Sequence, residues 1–187
     1  LDPVIVEQIS NGPTIEYYRH YREVNEKLSR IAHHISSRLN KSGIPTWNIN
    51  PSVTTRELNT VYNQTLRTDI SHKMVATRAG MGWIGKTALF ISNTLGPGVR
   101  LVTILTSYPL PLTRQPVLTS SCGTCSLCVD ACPADAATGQ SWYAGLDRDL
   151  FFNPWKCREQ CIKFGEQFNE DIRVCGICIA VCPVGSG

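Results

Sequence analysis

The chain has 187 residues, 42% of them hydrophobic, and a formal net charge of +3. That is room for one ordinary domain plus a small one, with apolar side chains enough for a packed core. No apolar run approaches the roughly 18 residues that a membrane-spanning helix needs, and no charged-then-apolar targeting segment stands at Leu1, so a cytoplasmic protein with no membrane partner is expected.

The first element in the chain is a helix over 15–39. Tyr21, Val24, Leu28, Ile31, Ile35 and Leu39 recur at three- and four-residue steps, which makes one helical face. Thr14 is placed to cap its start, and Gly43 and Pro45 stop it. Arg19, Arg22, Lys27 and Arg30 are interleaved with glutamates, a solvated face rather than a nucleic-acid patch. His33 and His34 point to different sides and read as surface or hydrogen-bonded residues. Thr46 to Asn50 is a short strand ended by Pro51. Thr55 to Thr65 is weakly periodic helix. A further helix is expected over 70–79, capped by Asp69 or Thr68 and ended at Gly80. Ala88 to Ser92 and Val99 to Thr106 are apolar and β-prone, and the turn-rich stretch 93–98 between them predicts a β-hairpin. Pro109, Pro111 and Pro116 mark a linker. The expected boundary therefore falls near Ser120, dividing the chain into 1–120 and 121–187.

Gly80-Met-Gly82-Trp-Ile-Gly85-Lys86-Thr87 satisfies two nucleotide-binding patterns at once, G-x-G-x-x-G and G-x-x-x-x-G-K-[ST]. Both patterns need a strand before the loop and a helix after it. Here the expected order is helix, loop, strand, which offers no helix N-terminus to a phosphate. The glycines permit close backbone approach, Trp83 offers a flat surface and Lys86 a charge. One reading is a tight turn in the core. The other is a loop lying against a large cofactor, with Gly80, Gly82, Trp83, Gly85 and Lys86 as its binding residues.

Seven of the nine cysteines fall in two runs, and the other two lie between them. The first is Cys122-Gly-Thr-Cys125-Ser-Leu-Cys128-Val-Asp-Ala-Cys132-Pro133. The second is Cys175-Gly-Ile-Cys178-Ile-Ala-Val-Cys182-Pro183, with Cys157 and Cys161 upstream. The first matches the C-x2-C-x2-C-x3-C-P run of two-cluster bacterial ferredoxins, whose fourth cysteine ligates the other [4Fe–4S] cluster. Reciprocal exchange predicts one cluster on Cys122, Cys125, Cys128 and Cys182. The other falls on Cys132, Cys175, Cys178 and either Cys157 or Cys161. Zinc sites favour paired C-x2-C units and fit this spacing poorly. Eight bound thiolates and two oxidised cubes would take the formal charge to roughly −1, so the basic composition belongs to the metal-free chain.

Thr77-Arg-Ala-Gly-Met-Gly-Trp-Ile-Gly-Lys86, the expected apolar hairpin after it, Leu105-Thr-Ser-Tyr-Pro-Leu110 and the double cysteine run together resemble the epoxyqueuosine reductase family and its relatives, the reductive dehalogenases. The resemblance covers about two thirds of the chain, from Asp69 onward. It implies an α+β protein, with a nitroreductase-like α/β domain followed by a ferredoxin-like double-cluster module. It also implies a cobalamin-dependent oxidoreductase with the corrin between the two parts, fed with electrons by a donor such as ferredoxin or flavodoxin. A small molecule or modified nucleoside would be the substrate. Cys157, in Pro154-Trp-Lys-Cys157, matches the family's single cysteine between the runs. Of the family's proton-donating aspartate and Glu-Lys pair, Lys73 keeps its place and His72 stands for the glutamate. The aspartate position falls on Leu66 without a gap, and Asp69 reaches it only with a three-residue shift. Asp69 and Lys73 are therefore the implied catalytic residues. The competing expectation is an electron-transfer or redox-activation protein with no substrate of its own.

Overall fold

A computed structural model describes residues 1–53, 58–111, 115–168 and 172–185. After the short α1 (Pro3–Glu7), the long helix α2 spans Ile15–Lys41. The Tyr17 N–H donates to Thr14 Oγ1 at 3.1 Å, so the expected cap is in place. Gly43, at φ 77°, turns the chain out of the helix. The expected apolar face is displaced in the second half. Ala32 and Ser36 are buried, while Ile31 and Ile35 are 54% and 41% exposed. The strand β1 (Thr46–Ile49) lies against α2 here, and small side chains allow that approach. Ser36 Oγ donates to Asn48 Oδ1 across the contact.

β1 pairs antiparallel with β4 (Thr103–Thr106), in register from Thr46 opposite Thr106 to Ile49 opposite Thr103. Between them come α3 (Thr60–Thr65) and α4 (His72–Arg78). The expected start of α3 at Thr55 lies outside the described residues. Its last turn ends at Leu66, a non-glycine residue at φ 50°. α4 corrects its expected cap. Neither Asp69 nor Thr68 serves, and the Met74 N–H donates to Ser71 Oγ at 3.4 Å. Thr68 spends its hydroxyl on the Ile70 carbonyl instead. Gly80 ends the helix as expected, at φ 69°.

The largest correction concerns the two β-prone segments. The expected hairpin between them does not form. The segment around Gly82 is itself a strand, β2 (Gly82–Ile84), and it pairs antiparallel with β3 (Phe90–Ser92). The 93–98 turn closes back on Ser92, whose backbone exchanges both hydrogen bonds with Gly96. The chain after it runs on to β1. Glycine decides the β2–β3 pairing, because a Cβ at Gly82 would fall on the Ile91 carbonyl oxygen.

The second half holds α5 (Leu127–Asp130), α6 (Arg148–Phe151), α7 (Pro154–Gly165) and α8 (Ile177–Ala180). Ile84 and Ala88 of the β2–β3 hairpin share one buried cluster with Phe151, and Trp142, Leu146 and Phe152 pack around it. The α+β hairpin half and the cysteine half thus share a core. Arg67 binds Asp147 and Asp149 at 2.6 and 2.9 Å, and Arg148 donates to the Leu66 and Thr65 carbonyls, closing the same junction. Among the described residues no helix is long and apolar enough to cross a membrane.

Candidate metal centre

The two cysteine runs have the same local fold. In each, a one-turn helix carries the third or second cysteine, Cys128 on α5 and Cys178 on α8. The last cysteine, Cys132 or Cys182, follows just beyond, with its N–H bonded to the carbonyl three residues back. α5 and α8 pack against each other, which brings each run's last cysteine toward the other run.

Electrostatics sorts the thiols into two groups. Burial pushes the Cys128 thiol up, and Cys122, Cys182 and Cys125 push it the same way. Burial also raises Cys182, with Cys122 and Cys125 adding to it. Cys175 is raised by burial and then by Cys157 and Cys132. Cys178 is raised by burial and then by Cys175 and Cys157. One group is therefore Cys122, Cys125, Cys128 and Cys182. The other gathers Cys132, Cys157, Cys175 and Cys178. Thiols crowded in this way resist ionising together until a metal supplies positive charge. None of the nine is joined in a disulfide.

Cys157 and Cys161 lie one turn apart on α7. The Cys161 thiol hydrogen-bonds to Cys157, which lowers Cys157 against the opposing effect of burial, and Lys73 lowers it further. The same bond, with burial, pushes Cys161 strongly up. Of this pair, Cys157 is the sulfur that ionises first.

The glycine-rich segment lies directly against this centre. Trp83 Nε1 donates to Cys122 Sγ at 3.4 Å, and Lys86 Nζ donates to the Cys125 carbonyl at 2.9 Å. Thr87 lies near the thiols of both Cys128 and Cys178 and works against the upward push of burial on each. All three side chains are buried. Gly82 and Gly85 are accounted for by the packing of β2 on Ile91, and Gly80 by the end of α4. On the other flank, Ile9 and Tyr17 cover Gly176, and burial beside Cys178 and Cys175 pushes the Tyr17 hydroxyl up.

Four cavities of about 440, 460, 300 and 530 Å³ meet at Thr68. Lys73 lines the last two. Its ammonium is enclosed and donates to the Ala88 carbonyl at 2.7 Å. Burial, helped by Arg148, lowers it to about 8. Asp69 is exposed and lines the first cavity, with Trp47 and Leu105. The structure does not bring Asp69 and Lys73 into one cavity. His72 is fixed between Thr103 Oγ1 and the Asn50 carbonyl, each at 2.7 Å. Sequence reasoning gave no role to Thr87, Tyr17 or Arg148. Thr87 was visible as the end of the G-K-T string, but that string was read for phosphate. Tyr17 and Arg148 carry no local signal.

Residues 121–185 match the family model of a 4Fe-4S double cluster binding domain. An epoxyqueuosine reductase of Leadbetterella byssophila is 31% identical over 125 residues, covering 63% of this chain and 38% of that protein. One of Bacillus anthracis is 32% identical over 125 residues, 64% of this chain and 30% of that protein. The chain is related to the epoxyqueuosine reductases. It spans less than two fifths of the length of these relatives. A solved epoxyqueuosine reductase with an epoxyqueuosine-modified tRNA stem loop superposes with TM-score 0.53 at 25% identity, over 91% of this chain and 39% of that one. A catabolic reductive dehalogenase superposes with TM-score 0.71 over 100% of this chain and 24% of that one, at 16% identity, a likeness of fold. What the chain shares with the epoxyqueuosine reductases is the iron–sulfur part of an oxidoreductase.

Proposed function

We propose that this chain passes single electrons through two [4Fe–4S] clusters to an acceptor held in the cavities around Thr68 and Lys73. The carrying observation is the pair of thiol groups, each completed by the last cysteine of the opposite run, beside a cavity whose lysine neighbours Cys157. Cys122, Cys125, Cys128 and Cys182 would hold one cluster; Cys132, Cys157, Cys175 and Cys178 would hold the other. Bound there, the clusters supply one-electron transfer. The chain's own residues do the rest: α5 and α8 set the spacing of the thiolates, and the hairpin and Tyr17 shield them from water. Lys73, lowered to about 8, can give up a proton near neutral pH. Asp69, in its separate cavity, would act only on a ligand reaching across Thr68.

Cobalamin is the acceptor that the resemblance implies, and B12-dependent dehalogenation belongs to one reductive dehalogenase of similar fold. Among the described residues the cavities do not fit it. Each is the size of a small-molecule site, and the walls they share include His72 and Lys73, both tied to backbone carbonyls. A small molecule or a modified nucleoside fits the space better.

Leu127, inside the first cysteine loop, is 52% exposed, so a donor such as ferredoxin or flavodoxin can approach that end. This exposure also favours the second reading, electron transfer to a partner protein with no substrate of the chain's own. A cytoplasmic location, the division at 120/121 and a nitroreductase-like first part belong to the same proposal. Their support is the thiol chemistry, the linker prolines and the α2 layer on the β1–β4 pair. Anaerobic reconstitution tests the reading. Roughly eight irons and eight sulfides per chain are expected for two cubes, and two zincs without labile sulfide would sink it. Titration with cobalamin, followed by corrin absorbance, then separates a corrin enzyme from the smaller acceptor argued for here.

A further inference from the structure

Of the cavities that meet at Thr68, the one of about 300 Å³ has largely apolar walls, with Leu89, Phe90, Val99 and Leu101 from the first half and Ile179 from the second cysteine run. Set among them are Arg100 and Lys73, and no Asp or Glu among the described residues lines the space. Arg100 is held in place. Its Nε donates to Asn25 Oδ1 at 2.9 Å. Its Nη2 donates to the Tyr21 hydroxyl, the Pro51 carbonyl and Ser52 Oγ at 3.2, 3.0 and 3.1 Å. The guanidinium carbon also stands 4.3 Å from the centroid of the Tyr21 ring. All four acceptors are neutral, and the ion pairs among the described residues belong to Arg67 and Arg148 instead. Nη1 has no hydrogen-bond partner among the described residues. No buried side-chain nitrogen or oxygen there lacks a partner, so Nη1 reaches open space. The same holds for Tyr17. It is only 4% exposed, its hydroxyl has no partner among the described residues, and it lines this cavity. His72 lines it too, but Thr103 and Asn50 take both its ring nitrogens.

We propose that this cavity binds a small carboxylic acid with an apolar body, its carboxylate held by Arg100 Nη1 and the Tyr17 hydroxyl and its body packed on the apolar wall. The inference names the class of acceptor and rests on the electron-transfer reading above. Enclosed cations without an acid beside them are costly, and an anion entering the cavity offsets that cost. Lys73 spends one N–H on the Ala88 carbonyl and adds a second positive charge. The donor set is short: a guanidinium edge, a hydroxyl and an ammonium already bonded once. It suits the two oxygens of a carboxylate. The four of a phosphate would leave some against leucine and valine side chains, unbonded. The rest of the wall takes hydrocarbon. The site also has a fixed place relative to the thiols. Ile179 stands between Cys178 and Cys182 in the chain. The Tyr17 ring packs so closely over Gly176 that a Cβ there would come within 3.1 Å of it. A bound acid therefore lies at the wall formed by the second run, on the side of Cys175 and Cys178.

The test is calorimetric titration of the anaerobically reconstituted chain, with iron and sulfide measured on every sample. The probes are hexanoate, its neutral isostere hexanamide, and inorganic phosphate. Hexanoate should bind saturably, and hexanamide about 10–100-fold more weakly, the loss expected when charge-assisted hydrogen bonds go. Phosphate at the same concentration should not displace hexanoate. Tyr17→Phe keeps the ring over Gly176 and removes the hydroxyl; it should weaken hexanoate roughly tenfold. Arg100→Met should abolish the preference for acid over amide. Arg100 also ties α2 to the segment after β1, so where that variant does not fold, Tyr17→Phe and the amide comparison decide alone. Equal affinity for hexanoate and hexanamide, no binding of either, displacement by phosphate, or hexanoate binding unchanged in Tyr17→Phe would each overturn the proposal. A native chain that takes up no iron and sulfide refutes the cluster reading, whereas a loaded chain that fails these titrations refutes the acid site alone.

Discussion

The pairing with Cys161, helped by Lys73, lowers Cys157, while the same pairing and burial push Cys161 up, so the two sulfurs are unequal before any metal arrives. Iron binds thiolates, and the thiol that ionises first is the better ligand. Cys157→Ser should lose about four irons, one cube's worth, while Cys161→Ser should keep roughly eight; iron and sulfide analysis reads both, and the reverse pattern would exchange their roles. Lys73 allows a second residue-scale prediction. Burial lowers it from the ordinary 10.5 to about 8, so between those values the folded chain binds fewer protons than the unfolded one. Stability then rises with pH through that window. The full cost of burying the ammonium is felt below about 8. Lys73→Met removes that cost. Its melting temperature relative to the native chain should be highest below about pH 8 and decline toward pH 10.5, as followed by thermal unfolding across the range.

At the scale of elements, the β2–β3 hairpin depends on Gly82, where a Cβ would meet the Ile91 carbonyl. Gly82→Val should cost ~1–3 kcal/mol or more, as overpacking does. It should also lower iron content, because Trp83 and Lys86 would leave Cys122 and Cys125. Full stability with full loading would contradict the packing argument. α4 offers a cleaner comparison. Ser71→Ala should cost about 0.5–2 kcal/mol as a lost N-cap, whereas Asp69→Ala, exposed and outside the cap, should stay within about 0.5 kcal/mol. Denaturant midpoints of the two variants would read the difference.

Across the whole molecule, the cysteine half is clamped from both ends of the first half. Gly176 lies under Ile9 and Tyr17, and Gly96, at φ 60°, lies against the Val184 carbonyl just past Cys182. Cys182 is thus delivered to the first run by docking of the C-terminal segment on the 93–98 turn. Cys182→Ser should damage the cluster of Cys122, Cys125 and Cys128 and spare the one of Cys175 and Cys178, as read by EPR and iron content. Damage confined to the second cluster would reverse the crossing. Removing the metal with a chelator should also speed backbone hydrogen exchange over 172–185, since ligand binding and folding of that segment are coupled.

The sequence by itself determined the chemistry and the ends of the main helices. Cysteine spacing is a local property, carried by one-turn helices that need no distant partner, so the double-cluster domain was legible in it. Thr14 before α2, and Gly43 and Gly80 after α2 and α4, act on backbone groups within a few residues, and they were legible for the same reason. Strand partners were not. The β-propensity of 88–92 and 99–106 says that they extend, not what they pair with. Close approach at Gly82 gave β3 to β2, and α2 carried β1 to β4. The buried stripe of α2 was misplaced at Ile31 and Ile35 because β1 selects small side chains, which hydrophobic periodicity does not weigh. The choice of Ser71 over Asp69 as cap depends on where the chain after Leu66 is held by Arg148. The partners of Trp83 and Lys86 needed the tertiary structure most. Their indole N–H and ammonium acquire meaning only where folding brings Cys122 and Cys125, each 39 positions further along the chain, against the hairpin.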